Sequence, residues 1–116
     1  IHFFTDKNSP LQVGIMTYAE GKEVQPHYHA SRTTQGSGTQ EVLIVKTGRM
    51  KARFYSAVHR TLIDEKDLGA GDILILLTGG HGFTIAPGSS VIEVKQGPYL
   101  EHGDKIQIDS KAPSSH

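Results

Sequence analysis

The chain has 116 residues, enough for one domain with a single core, and its 12 Lys plus Arg balance 12 Asp plus Glu to zero formal charge. That balance argues against a basic stripe for nucleic acid and against a charged membrane-docking face. With no cysteine there is neither a disulfide framework nor a thiolate ligand, and the longest apolar run, residues 73–77, is far too short to span a bilayer.

No signal peptide is visible and the chain opens on Ile1, so a cytoplasmic location is only the default expectation. His2-Phe3-Phe4 reads as a short edge strand or a dimer arm. Residues 6–10 (Asp-Lys-Asn-Ser-Pro) are turn chemistry, and residues 11–19 then alternate, with Leu11, Val13, Ile15 and Thr17 on one face. Glu20-Gly21-Lys22 turns the chain into a segment ending His27-Tyr-His29. Val24, Pro26 and Tyr28 suit an extended strand there, because proline breaks a helix and pushes the residue before it toward extended geometry. On a strand, residues two apart point the same way, so both imidazoles project together.

Residues 30–40 are rich in Ser, Thr and Gly and longer than most connections in a small domain, which suggests a mouth or lid. An apolar strand at 41–46, a turn at Thr47-Gly48-Arg49 and an alternating strand at 50–55 read as a hairpin. A charged strand at 62–68 precedes the turn Gly69-Ala70-Gly71. Residues 72–77 read as a buried strand, followed by Thr78-Gly79-Gly80 and the segment His81-Gly-Phe-Thr-Ile85. A turn at 86–90, a strand at 91–96 and a last strand at 105–108 complete the pattern, with a polar tail beyond. Many short strands between turn signals, without helical periodicity, predict an all-β sandwich or barrel.

A barrel lets distant residues converge. Glu41 is expected on a strand adjacent to the His strand, and His81 where another strand enters the barrel. Together with His27 and His29 they make three imidazoles and a carboxylate, a donor set suited to one divalent transition metal: Fe, Mn, Ni, Zn or Cu. The spacing does not choose among them. His2, His59, His102 and His116 lie in terminal or polar stretches and are expected at the surface, whereas Leu43, Val45, Met50, Phe54 and Phe83 are expected to line the core.

These residues resemble the cupin superfamily. Gly21, His27, His29, Glu41 and Gly48 follow its first motif, glycine, five residues, His-x-His, a gap, Glu, six residues and glycine, with a gap of eleven residues between His29 and Glu41. Gly71-Asp72, Gly79 and His81 follow its second motif, with Leu77 where proline is common and a turn one residue shorter. The blocks Gly79-Gly-His-Gly-Phe83 and Glu93-Val-Lys-Gln-Gly-Pro-Tyr99 are similar to those of small single-domain bacterial cupins. The resemblance covers residues 13–98 and implies a double-stranded β-helix (jelly-roll) barrel, a core spanning about 11–108, a metal at its mouth and a homodimer. It implies no particular reaction.

Beside the metal set, five residues are candidates for a small-molecule pocket. Gln25 shares the alternation of His27 and His29, Arg53 and Lys95 stand on strands where they can reach an anion, Arg32 sits in the long loop, and Tyr99 follows Gly97-Pro98. The leading expectation is a metal-dependent enzyme acting on a small polar or sugar-like molecule. The alternatives are a metal-independent sugar-nucleotide isomerase or epimerase using a His base, and a non-enzymatic binding or sensor barrel.

Overall fold

The computed structural model of the chain describes residues 1–29, 39–98 and 105–107, with side chains described for 1–28 and 39–98. Among the described residues there are ten strands and no helix. They are β1 (His2–Phe3), β2 (Leu11–Tyr18), β3 (Lys22–His29), β4 (Glu41–Thr47), β5 (Arg49–Tyr55), β6 (Leu62–Gly69), β7 (Ile73–Leu76), β8 (Gly80–Ile85), β9 (Ser89–Gln96) and β10 (Lys105–Gln107). Two five-stranded antiparallel sheets form, with strand orders β1-β2-β9-β4-β7 and β10-β3-β8-β5-β6. The hairpin expected at residues 41–55 is absent as a hairpin. Gly48, at φ 83°, instead carries the chain from β4 in the first sheet to β5 in the second.

Cross-strand registers stack the inward side chains in layers. At one end Met16, Val91 and Val45 of the first sheet share a row, and Met50 pairs with Ile85 in the second. A middle row sets Gly14, Glu93, Leu43 and Leu74 in the first sheet and Val24, Phe83 and Ala52 in the second. The last row holds Gln12, Lys95, Glu41 and Leu76 against His27, His81 and Phe54. The apolar core therefore fills one end and the middle, with Leu43, Val45, Met50, Phe83 and Ile85 all buried and Phe54 packed beside them. Polar side chains collect at the other end.

The strand at 72–77, expected to be buried, is instead the edge of the first sheet. Only Leu76 is buried, while Ile73, Ile75 and Leu77 are 61%, 60% and 56% exposed. A continuous apolar run does not tell a doubly covered strand from an edge strand that is apolar on both faces.

Tyr28 anchors the turn between β5 and β6. Its hydroxyl donates to the Ser56 carbonyl, and the Arg60 guanidinium lies 5.1 Å over its ring. Burial pushes the phenol above its ordinary value and the Arg60 charge only partly opposes that. A raised folded-state value means this contribution is fully present below the unfolded phenol's pKa, about 10, and is lost as pH rises above it. Tyr28→Phe is expected to cost about 1 kcal/mol at neutral pH and to flatten the alkaline loss of stability, as read by urea melts at several pH values.

Candidate metal centre

β3 and β8 run side by side, and His27 and His81 are direct register partners on them. Their rings meet edge to face, with centroids 4.6 Å apart and an interplanar angle of 76°. Phe83, two residues on, stacks against His81 at 5.4 Å. Gly79 precedes this strand at φ 85°, in the left-handed region, and a Cβ there would stand 2.9 Å from the Tyr55 carbonyl oxygen. Glycine thus lets the chain turn tightly against β5 and enter the barrel with His81 facing in.

Glu41 comes from the other sheet. β4 pairs with β7 and β9 rather than with β3, so the expectation of a strand adjacent to the His strand is corrected: the carboxylate faces the histidines across the barrel interior. Its Oε2 lies 3.1 Å from Nε2 of His81, with both side chains about 95% buried. His27 is also buried, and its Nδ1 lies 2.8 Å from the Gln25 carbonyl oxygen. A carbonyl can only accept, so Nδ1 carries the proton and the lone pair sits on Nε2, the arrangement in which a backbone carbonyl orients a ligating imidazole.

That orientation depends on an irregularity the sequence pattern did not show. The β3–β8 register slips between Val24 and His27, so Gln25 and Pro26 together oppose Gly82. Such a bulge inverts the alternation. Val24 and His27, three residues apart, both turn inward, while the Gln25 side chain is exposed. The expectation that Gln25 shares the inward face of His27 is therefore corrected, and its contribution is the main-chain carbonyl.

Arg53 also departs from the pocket expectation. Met50, Ala52 and Phe54 take the inward positions of β5, leaving Arg53 on the outer face, where it meets Glu23 at 2.6 Å and donates to the Thr84 hydroxyl at 2.8 Å. Lys95 does point inward, beside Glu41 in register, with Nζ 3.6 Å from Glu93 and 5.5 Å from the Phe3 ring centroid. Glu93, buried beneath it, was missed by sequence reasoning. The signal was present in Val91-Ile-Glu-Val-Lys95, because placing Val91 inward places Glu93 and Lys95 inward as well. His2 and His59 are exposed, as expected. Arg32, Tyr99, His102, His116 and the loop segment 30–38 lie outside the described residues, as does the His29 side chain, although the His29 backbone pairs with Lys105.

Among the described residues no group of three or more His, Cys, Asp or Glu side chains by itself forms a site that could hold a metal ion. The donors that are described nevertheless fit one. A separation of 3.1 Å is what two donors each about 2.1 Å from an ion show when they meet it at roughly a right angle. Two imidazoles and a carboxylate, without sulfur, are borderline-to-hard ligands suited to a divalent first-row metal.

The two facing antiparallel sheets form a double-stranded β-helix (jelly-roll) barrel, with His27 and His81 turned inward at one end. Solved structures similar to this chain include oxalate decarboxylase from Bacillus subtilis, with 16% identity, a TM-score of 0.64 and coverage of 87% of this chain and 24% of that one. KdgF from Halomonas sp. shows 18% identity and a TM-score of 0.59 over 81% of this chain and 74% of that one. Peruvianin-I, a cysteine peptidase from Thevetia peruviana latex, shows 17% identity and a TM-score of 0.60 over 85% of this chain and 56% of that one. This chain thus spans about half of the peptidase and a quarter of the decarboxylase. The Bacillus subtilis decarboxylase is described with Mn(II) centres. No protein-family model and no curated protein sequence matches this chain. At such identities the likeness defines the fold, and a cysteine-free chain sharing its barrel with a cysteine peptidase shows how little chemistry the fold dictates.

Proposed function

We propose that this protein is a metal-dependent cupin that acts on a small polar molecule carrying an anionic group. The observation that carries the reading is the buried His81, which faces His27 on the paired strand and lies 3.1 Å from Glu41 of the facing sheet. His27, Glu41 and His81, with His29 as the fourth ligand, would hold one divalent ion. A bound ion of this kind supplies Lewis acidity toward a coordinated oxygen or water. The chain's own residues do the rest. The Gln25 carbonyl fixes the His27 tautomer, Phe83 packs the His81 ring in place, and Glu93 holds the Lys95 ammonium inward, where it can meet a carboxylate. Support comes from the fold shared with oxalate decarboxylase, and with an oxalate oxidase solved in complex with the substrate analogue glycolate.

The test is metal analysis of untagged protein followed by calorimetric titration with oxalate and glycolate as probes. The expected result is about one divalent metal per chain, with carboxylate binding that is lost when the metal is removed and weakened by Lys95→Met. Metal-free protein that cannot be loaded with Mn, Fe, Ni, Zn or Cu would overturn the reading.

A further inference from the structure

Among the described residues, Glu93 is the one buried charged side chain in the middle layer of the interior. Its row holds Gly14, Leu43 and Leu74, facing Val24, Phe83 and Ala52 on the other sheet. Only 9% of the Glu93 side chain is exposed. A carboxylate is costly to take this far from water, and apolar residues of similar volume commonly serve stability as well as a buried ion pair does. Packing alone therefore gives little reason for a glutamate here. Its partner Lys95 stands one row nearer the donors, with Nζ 3.6 Å from Oε1 and 14% of the side chain exposed. Phe3 closes over the ammonium. Its ring packs where Gly14 leaves room, 3.0 Å from the position a Cβ would take, with its centroid 5.5 Å from Nζ.

Lys95 is also the register partner of Glu41, so it has one carboxylate on its own strand and another directly across on β4. Asp64 and Lys66 share the inward face of β6 by register, but both are more than half exposed and pair with each other at 3.8 Å, adding no net charge. Among the described residues, the buried charges at this end are thus two carboxylates and one ammonium, with one negative charge in excess. Ligating imidazoles are neutral. A divalent ion held by His27, Glu41 and His81 therefore leaves the centre with a single positive charge.

We infer, resting on the metal-dependent reading above, that Glu93 fixes this balance and so makes the barrel select a monoanionic ligand over a dianion of similar size. The ligand class is an acid with one carboxylate and a neighbouring hydroxyl or carbonyl oxygen. Lys95 by itself attracts every anion and discriminates none. The carboxylate behind it cancels the excess charge while leaving ammonium N–H groups to donate to a ligand oxygen. Without Glu93 the same centre would carry two positive charges and match a dicarboxylate. In a buried site a unit charge within about 5–10 Å changes the binding of each ligand charge by roughly 10-fold or more. Glu93 is thus a specificity-determining residue that acts through charge and need not touch the ligand.

The experiment is calorimetric titration of the metal-loaded full chain at neutral pH with glycolate and with oxalate, chelating acids of like size that carry one and two negative charges. The quantity read is the ratio of the two affinities, because any general weakening of the site cancels from it. Glu93→Gln is expected to raise the oxalate-to-glycolate ratio by at least about 10-fold. Lys95→Met is expected to lower it. The Glu93→Gln, Lys95→Met double variant is expected to return it close to the parental value, since both charges leave together. Glu93→Asp keeps the charge, and Glu65→Gln removes an exposed one from β6; neither is expected to move the ratio. A ratio indifferent to Glu93→Gln, or one still raised in the double variant, would overturn the inference and leave the metal-dependent reading standing. Protein that takes up no metal, or that binds neither acid once loaded, would overturn both. If Glu93→Gln does not fold, Lys95→Met decides alone, and a ratio it fails to lower overturns the inference.

Discussion

Replacing His27 by alanine is expected to remove stoichiometric metal from the protein, with affinity falling by more than about 100-fold. Loss of an outer-sphere partner alone typically costs about 10–100-fold, and this substitution removes a proposed ligand together with the ring that abuts His81. Glu41→Gln is expected to do nearly the same for a different reason. It keeps the shape and deletes the charge, leaving an amide 3.1 Å from the His81 imidazole where an anionic donor stood. His59→Ala, at an exposed position in the turn after β5, is expected to retain full stoichiometry. Metal content by mass spectrometry and a competitive chelator titration measure both quantities. Binding should also weaken in acid, because imidazole ligates only in its neutral form and protons compete with the metal. One tightly held metal per chain in a His27→Ala, Glu41→Gln double variant would place the centre elsewhere.

Gly82→Ala is expected to lower stability and metal affinity together, although Gly82 offers no ligating atom. A Cβ at this position would lie 3.0 Å from the Pro26 nitrogen, 3.1 Å from the Pro26 Cα and 3.1 Å from the Val24 carbonyl oxygen. All are main-chain or ring-constrained atoms of the bulge, so no flexible side chain can swing aside. Overpacking of this kind costs about 1–3 kcal/mol, partly offset by the lower unfolded-state entropy of alanine, and a valine should cost more. The relief available is for β3 to move away from β8, and that shift carries the Gln25 carbonyl from its 2.8 Å contact with His27. Metal affinity should then fall by about 10-fold or more, as when an orienting partner is lost. Ile85→Ala is the control. It empties a fully buried site further along the same strand and should cost about 2–5 kcal/mol while the folded protein keeps its metal. Calorimetric melting read beside metal affinity separates the two. A Gly82→Ala protein with lowered melting temperature and parental affinity would show that the bulge shapes the fold and not the centre.

The parts of this molecule legible in its sequence are those set by local chemistry. Turn residues marked the strand boundaries, and the short spacing of apolar runs marked an all-β barrel. Of the residues expected to converge, His27 and His81 face each other on paired strands, and Glu41 reaches His81 from the facing sheet. What sequence could not show depends on pairing. The bulge at Gln25-Pro26 leaves no compositional trace, so strict alternation carried Gln25 inward. Glu41 follows the His strand in sequence, but the chain crosses to the facing sheet before it. Residues 73–77 looked like a core strand because nothing in a run of Ile and Leu says whether a neighbour lies on its second side. Arg53 was ambiguous until Met50, Ala52 and Phe54 claimed the inward positions of β5.

The layered interior has a consequence for how such a barrel can change over time. Met16, Val45, Met50, Ile85 and Val91 form the apolar core at one end, whereas Gln12, Glu41, His27, His81 and Lys95 sit at the other. Substitutions among the polar residues at that second end leave the apolar end intact, because it is closed by different side chains. Burden and opportunity are thereby assigned to opposite ends of the same strands.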